Sequence, residues 1–119
     1  MDAIDFNSDS FSDIVEKDNR YQARAYALLM DVVHFLGQNG KHMTAEDILE
    51  EFRERTLDLY GPLSFTVLRE WGVTKCEDVG EMMNNLAEAH RVRRDPDDTP
   101  DQFAGGYDFI EAFLGPYDV

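Results

Sequence analysis

Apolar residues recur at helical spacing along most of the chain, and Gly, Pro and Asn stops divide the pattern into five predicted helices. From Ser10 or Ser12, either of which suits an N-cap, Phe11, Ile14 and Val15 occupy one side of a short first helix. Tyr21, Ala25, Leu28, Leu29, Val32 and Leu36 then repeat every three or four residues through Gln38, and Gly37-Gln38-Asn39-Gly40 supplies the stop. Thr44-Ala45-Glu46-Asp47 reads as a capping box with Asp in place of Glu, and it opens a third helix whose stripe is Ile48, Leu49, Phe52, Leu57 and Tyr60. Gly61-Pro62 ends that helix and puts proline at the first position of a fourth, in which Leu63, Val67, Leu68 and Trp71 share a face up to Gly72. Thr74-Lys75-Cys76-Glu77 matches a full capping box, and Val79, Met82, Met83, Leu86 and Ala89 carry the stripe of the fifth helix.

The pattern changes after residue 90. Arg91-Val92-Arg93-Arg94 alternates as a short strand does, and Asp95-Pro96-Asp97-Asp98-Thr99-Pro100 is turn chemistry. Phe103 to Phe109 would return as a second strand, with Gly105-Gly106 permitting a bulge or a positive φ, and Ile110 to Leu114 fits either a strand or a helical turn. The expected fold is therefore mainly α: five helices, of which the last three plus a short β-hairpin resemble a winged helix. Residues 1–9, polar and acidic, are expected to be a flexible tail, and residues 10–119 one helical domain with a C-terminal hairpin.

Charge changes the functional picture more than the fold. The formal net charge of −14, over 119 residues, repels nucleic acid and anionic membrane and favours partners with basic surfaces. A winged helix that reads DNA presents Arg, Lys, Asn or Gln from its recognition helix and grips phosphates with basic residues. Here the fifth helix offers Glu77, Asp78, Glu81 and Glu88 against Lys75, and the turn adds Asp95, Asp97, Asp98 and Asp101. The favourable term from displaced counterions is then lost, and repulsion takes its place. The alternative of a DNA-binding transcription regulator rests on Arg91, Arg93 and Arg94, which are also placed to pair with the neighbouring aspartates. The acidic N-terminus and the short longest apolar run, Ala25 to Met30, point away from a signal peptide and a membrane span, and a lone Cys76 fits a reducing cytoplasm.

Nothing in the sequence groups into catalytic or metal chemistry. The four aspartates of the turn lack the EF-hand pattern, because Pro100 and Gly106 stand where Gly and Glu are needed. His34, His42, His90 and Cys76 share no zinc spacing, and Glu77 and Asp78 beside Cys76 oppose its ionisation. Gly105-Gly106 lacks the Lys-Ser/Thr of a phosphate loop. No cofactor, metal or catalytic residue is expected.

The chain carries the short elements Tyr21-x-x-x-Ala25-Tyr26, Thr44-x-x-Asp47-Ile48-Leu49, Gly61-Pro62-Leu63, Val67-Leu68-x-x-Trp71-Gly72-Val73, Glu77-Asp78-x-Gly80-Glu81, Asn85-Leu86 and Asp101-x-Phe103-x-Gly105-Gly106-Tyr107-Asp108-Phe109. Together these resemble a family of small bacterial proteins typical of planctomycetes and verrucomicrobia, for which no activity is assigned. The elements span residues 20 to 113, and the resemblance implies little about function. Where that family is more apolar after the fifth helix, this chain has His90-Arg91-Val92-Arg93-Arg94. The expected function is a non-enzymatic protein-interaction or regulatory module. Its partner would be another protein, with a basic surface, or a second copy of the chain. The acidic helical surface (Glu77, Glu81) and the aromatic C-terminal edge (Tyr107, Phe109) are the candidate contacts, and an exposed cluster of Tyr107, Phe109, Phe113 and Tyr117 would suit either partner.

Overall fold

The computed structural model describes residues 11–38, 44–92 and 100–117. The tail, Asn39-Gly40, His42, Arg93, Arg94 and most of the acidic turn lie outside the described residues. Within them the order is α1 (Ser12–Lys17), α2 (Ala23–Gln38), α3 (Ala45–Tyr60), a 3₁₀ turn (Gly61–Leu63), α4 (Ser64–Glu70), α5 (Cys76–Glu88), a 3₁₀ turn (Pro100–Phe103), α6 (Phe109–Phe113) and a last 3₁₀ turn (Gly115–Tyr117).

The core forms around α2 because its apolar face is broad: Ala25, Tyr26, Leu28, Leu29, Val32 and Leu36 are all buried. That face packs on α3 and α5, while α4 folds back on α3 and α6 touches both α3 and α4. Thr44 caps α3 as the sequence predicts, its hydroxyl accepting from the Asp47 N–H at 3.1 Å. The buried stripe of α3 differs at its end, where Thr56 is fully buried and Leu57 only half so. A threonine is tolerated there because its hydroxyl donates to the Phe52 carbonyl at 2.6 Å. At the corner that follows, the hydroxyl of Ser64 donates to the Gly61 carbonyl at 2.7 Å, with the Thr56 carbonyl a second acceptor at 3.1 Å. Pro62 therefore lies in the 3₁₀ turn ahead of α4, and Leu63, expected on the buried face, points to solvent.

Gly72 joins the two halves of the domain. It ends α4 at φ +94°, and a Cβ there would stand 2.1 Å from the backbone carbonyl oxygen of Arg20. That close approach lets Gln22 donate its N–H to the Trp71 carbonyl at 3.0 Å and its side-chain amide to the Glu70 carbonyl at 3.1 Å, stitching the start of α2 to the end of α4.

The C-terminal segment corrects the sequence reading. There is no strand among the described residues, so neither the return strand of the hairpin nor the winged-helix likeness is found. Helix α5 stops where His90 takes a left-handed φ of 61° and the Arg91 N–H reaches back to the Leu86 carbonyl at 2.8 Å, leaving Arg91 and Val92 in a bend. The expected return strand is instead a 3₁₀ turn, a tight turn at Gly105 and helix α6. Two forces decide this. The carboxylate of Asp108 accepts from the Glu111 N–H at 3.1 Å and so caps α6, and Phe109 and Phe113, four residues apart, bury together only if the backbone is helical.

Candidate interaction surface

Two regions of the molecule gather functional side chains, and they are built differently. The first lies between the α1–α2 connection and α5. Asp78, in the first turn of α5, is buried and fully used: Oδ1 accepts from the Tyr21 hydroxyl at 2.6 Å, and Oδ2 from the Thr74 and Lys75 N–H groups at 2.9 and 3.2 Å and from the Thr74 hydroxyl at 3.2 Å. The cap of α5 is thus made by Asp78, one residue beyond the predicted Glu77. Burial, and then the hydrogen bond to Asp78, push the Tyr21 phenol well above its ordinary pKa.

About two turns further along α5, the Asn85 amide donates to Asp18 and to the Tyr26 hydroxyl, both at 3.0 Å. Asp18 also holds Arg20 in a two-pronged pair, with Nη2 to Oδ2 at 2.6 Å and Nε to Oδ1 at 2.9 Å. The Arg20 hydrogen bond holds the Asp18 carboxyl far below the usual carboxylate range, and Asp18 in turn raises the guanidinium. Arg20 reaches Glu81 at 3.4 Å as well. An open cleft of about 850 Å³ lies beside this network, with Lys17, Asp18, Arg20, Asn85 and Glu88 among its walls. Its charges are mixed, and Asp18 and Arg20 among them pair with each other.

The second region is the corner made by α6 and the α3–α4 turn. Here the aromatic side chains close the core. Phe109 and Phe113 meet edge to face at 4.9 Å between centroids, and Tyr107 packs on both at 5.8 and 5.9 Å. The Tyr107 hydroxyl donates to the Leu49 carbonyl at 2.9 Å, its backbone carbonyl accepts from the Cys76 thiol at 3.4 Å, and burial raises both the phenol and the thiol. Gly106 lets this segment lie flat on α3 and α5, since a Cβ there would come within 2.8 Å of Cys76 Sγ and of Leu49 Cδ1.

The outer side of the same corner is apolar. Ile110 and Leu114, one helical turn apart on α6, and Tyr117 beyond them are exposed, as are Leu59 and Leu63 on either side of the Gly61-Pro62 turn. Tyr117 reaches the Gly61-Pro62 turn, since a Cβ on Gly61 would come within 3.8 Å of its hydroxyl. These five make up all but one of the large apolar side chains that the described residues expose. The sixth, Phe35, lies elsewhere under the Arg55 guanidinium, 5.1 Å from the ring centroid.

The predicted contact residues are therefore divided. Glu77 is exposed on α5 and Glu81 is tied to Arg20. Phe109 is only 4% exposed and Tyr107 is half-buried with its hydroxyl bonded, so the aromatic edge is core and its outward neighbours Ile110 and Leu114 form the surface. Arg91 pairs with Asp13 at 3.1 Å and lies over the Phe11 ring at 5.3 Å, tying α5 to α1 instead of pairing within a hairpin, while Arg93 and Arg94 fall outside the described residues. Sequence reasoning did not single out Ile110, Leu114, Leu59 or Leu63 as surface. The signal available was Asp108-x-x-Glu111, a helix start that turns Phe109 and Phe113 inward and Ile110 and Leu114 outward. Among the described residues no helix is long and apolar enough to cross a membrane, and no three His, Cys, Asp or Glu side chains are gathered to hold a metal. No protein family, curated protein or solved structure matches the chain.

Proposed function

We propose that the protein is a non-enzymatic interaction module that docks another protein on the corner formed by α6 and the α3–α4 turn. The observation that carries this is the concentration there of Leu59, Leu63, Ile110, Leu114 and Tyr117, all exposed, on an otherwise strongly charged chain. Contiguous exposed apolar side chains rimmed by polar ones mark interaction sites, whereas scattered single ones do not. The aromatic cluster beneath supplies a firm base, so the surface is held in place before a partner arrives and little ordering entropy opposes binding.

The carboxylates and hydroxyls that lie close together support a structural role over a chemical one. Asp78, Asp108, Thr44 and Ser64 bond to backbone groups at helix ends and corners, and Asp18 to Arg20 and Asn85. A DNA-binding regulator has less support, because the Arg91 charge is engaged by Asp13 and the first turn of α5 carries Glu77 and Asp78.

The test is parallel affinity capture from a bacterial lysate with the wild type, Leu63→Ser with Leu114→Ser, and Glu77→Lys with Glu81→Lys. A defined protein retained by the wild type and by the lysine pair, and lost from the serine pair with the fold intact by circular dichroism, is the expected result. Equal retention by the serine pair removes the corner as the docking surface, and loss from the lysine pair alone moves it to α5.

A further inference from the structure

Resting on the proposed docking corner, we infer that its occupant is a cationic amphipathic segment of another protein, and not a second copy of this chain. Charge carries the argument. Asp58, Asp108 and Glu111 are exposed along the stretches that build the corner, and the nearest cation on α3, Arg55, is already paired with Glu51 at 3.1 Å. Arg69 lies over the Phe65 ring at 5.8 Å, while Asp58 directly precedes Leu59 and Glu111 lies between Ile110 and Leu114 along α6. From residue 95 to the C-terminus the chain has no Lys or Arg at all.

An apolar strip with an acidic frame complements a segment whose leucine-like side chains are flanked by lysine or arginine, and it opposes anything carrying the same frame. A second copy would bring that frame together with a further charge of −14, and the chain's own residues 1–10 carry Asp2, Asp5 and Asp9 with no Lys or Arg. An anionic bilayer is repelled for the same reason. An amphipathic helix is the simplest segment that presents an apolar stripe with cations on both sides of it.

The experiment uses the full chain and two synthetic helical probes with leucine at i, i+3, i+4 and i+7, one carrying lysine and the other glutamate at the remaining positions. Titration is followed by ¹⁵N–¹H spectra and by calorimetry, with sedimentation equilibrium of the protein alone. The lysine probe should bind, shifting amides of residues 59–63 and 108–117. Leu63→Ser with Leu114→Ser should weaken it about tenfold or more, and raised salt should weaken it further. The glutamate probe should give no shifts. Equal binding of both probes at the corner overturns the cationic occupant while leaving the docking surface standing, as does a dimer that Leu114→Ser abolishes. Shifts of the lysine probe spread over α3 and α5 and indifferent to the serine pair overturn both.

Discussion

The α1–α5 side of the molecule and the α6 corner solve the same packing problem with opposite materials. On the first, polar groups are brought inside and satisfied: Asp78 takes hydrogen bonds from Tyr21, Thr74 and Lys75, and Asn85 links Asp18 to Tyr26. On the second, rings fill the interior and the leftover apolar side chains stay in solvent. The polar side fixes geometry, since each group has one partner set and a misfit leaves a buried group unpaired. The apolar corner fixes less and leaves apolar area in water whose burial would be favourable. Substitutions on the first side should therefore lower stability and spare binding, and those on the outer corner should do the reverse.

The largest expected effect is Gly72→Ala. A methyl group 2.1 Å from the Arg20 carbonyl cannot be accommodated without separating α2 from α4, and the φ of +94° is strained for alanine, so a loss of about 3 kcal/mol or more is expected in urea unfolding. Next comes Tyr21→Phe, which strips a buried carboxylate oxygen of its donor and should cost about 1–3 kcal/mol by the same measurement, with the lysine probe still bound. A loss of probe binding in either variant under folding conditions would blur the division between the two sides.

Asp18→Asn should cost about 1 kcal/mol at neutral pH, the smaller figure reflecting a half-exposed Arg20. Because the folded-state pKa of Asp18 is depressed, this stabilisation is complete above the ordinary carboxylate value of roughly 4 and fades as pH falls through the depressed value. The wild type and Asp18→Asn should accordingly converge in thermal stability in strong acid, and a constant gap across that range would remove the ion pair as its cause. The smallest change is Leu63→Ser, at a side chain 63% exposed, which should leave the unfolding free energy within about 0.5 kcal/mol of the wild type while weakening probe binding.

Local signals were legible in the sequence and distant ones were not. The Thr44 cap, the α2 stripe and the α5 positions Val79, Met82 and Leu86 are where periodicity and capping chemistry put them, because each is decided within a few residues. The cap of α5 slipped from Glu77 to Asp78 because Tyr21, 57 positions away, completes the site around the shorter side chain. The pattern of Phe103 to Phe109 predicts a return strand, and the Asp108 cap overturns it by starting α6. Several short sequence elements have mechanical reasons here. Gly72 admits the Arg20 carbonyl, Gly106 admits Cys76 and Leu49, Asn85 spans α1 and α2, and Tyr107 hooks onto α3.

Cys76 is the single thiol of the chain, and it is sealed under Gly106 and the Tyr107 carbonyl with its ionisation disfavoured. A thiol-reactive dye can reach it only when the 103–113 cover lifts away. Its labelling rate is therefore a built-in clock for that motion, and anything seated on the outer corner would slow the clock.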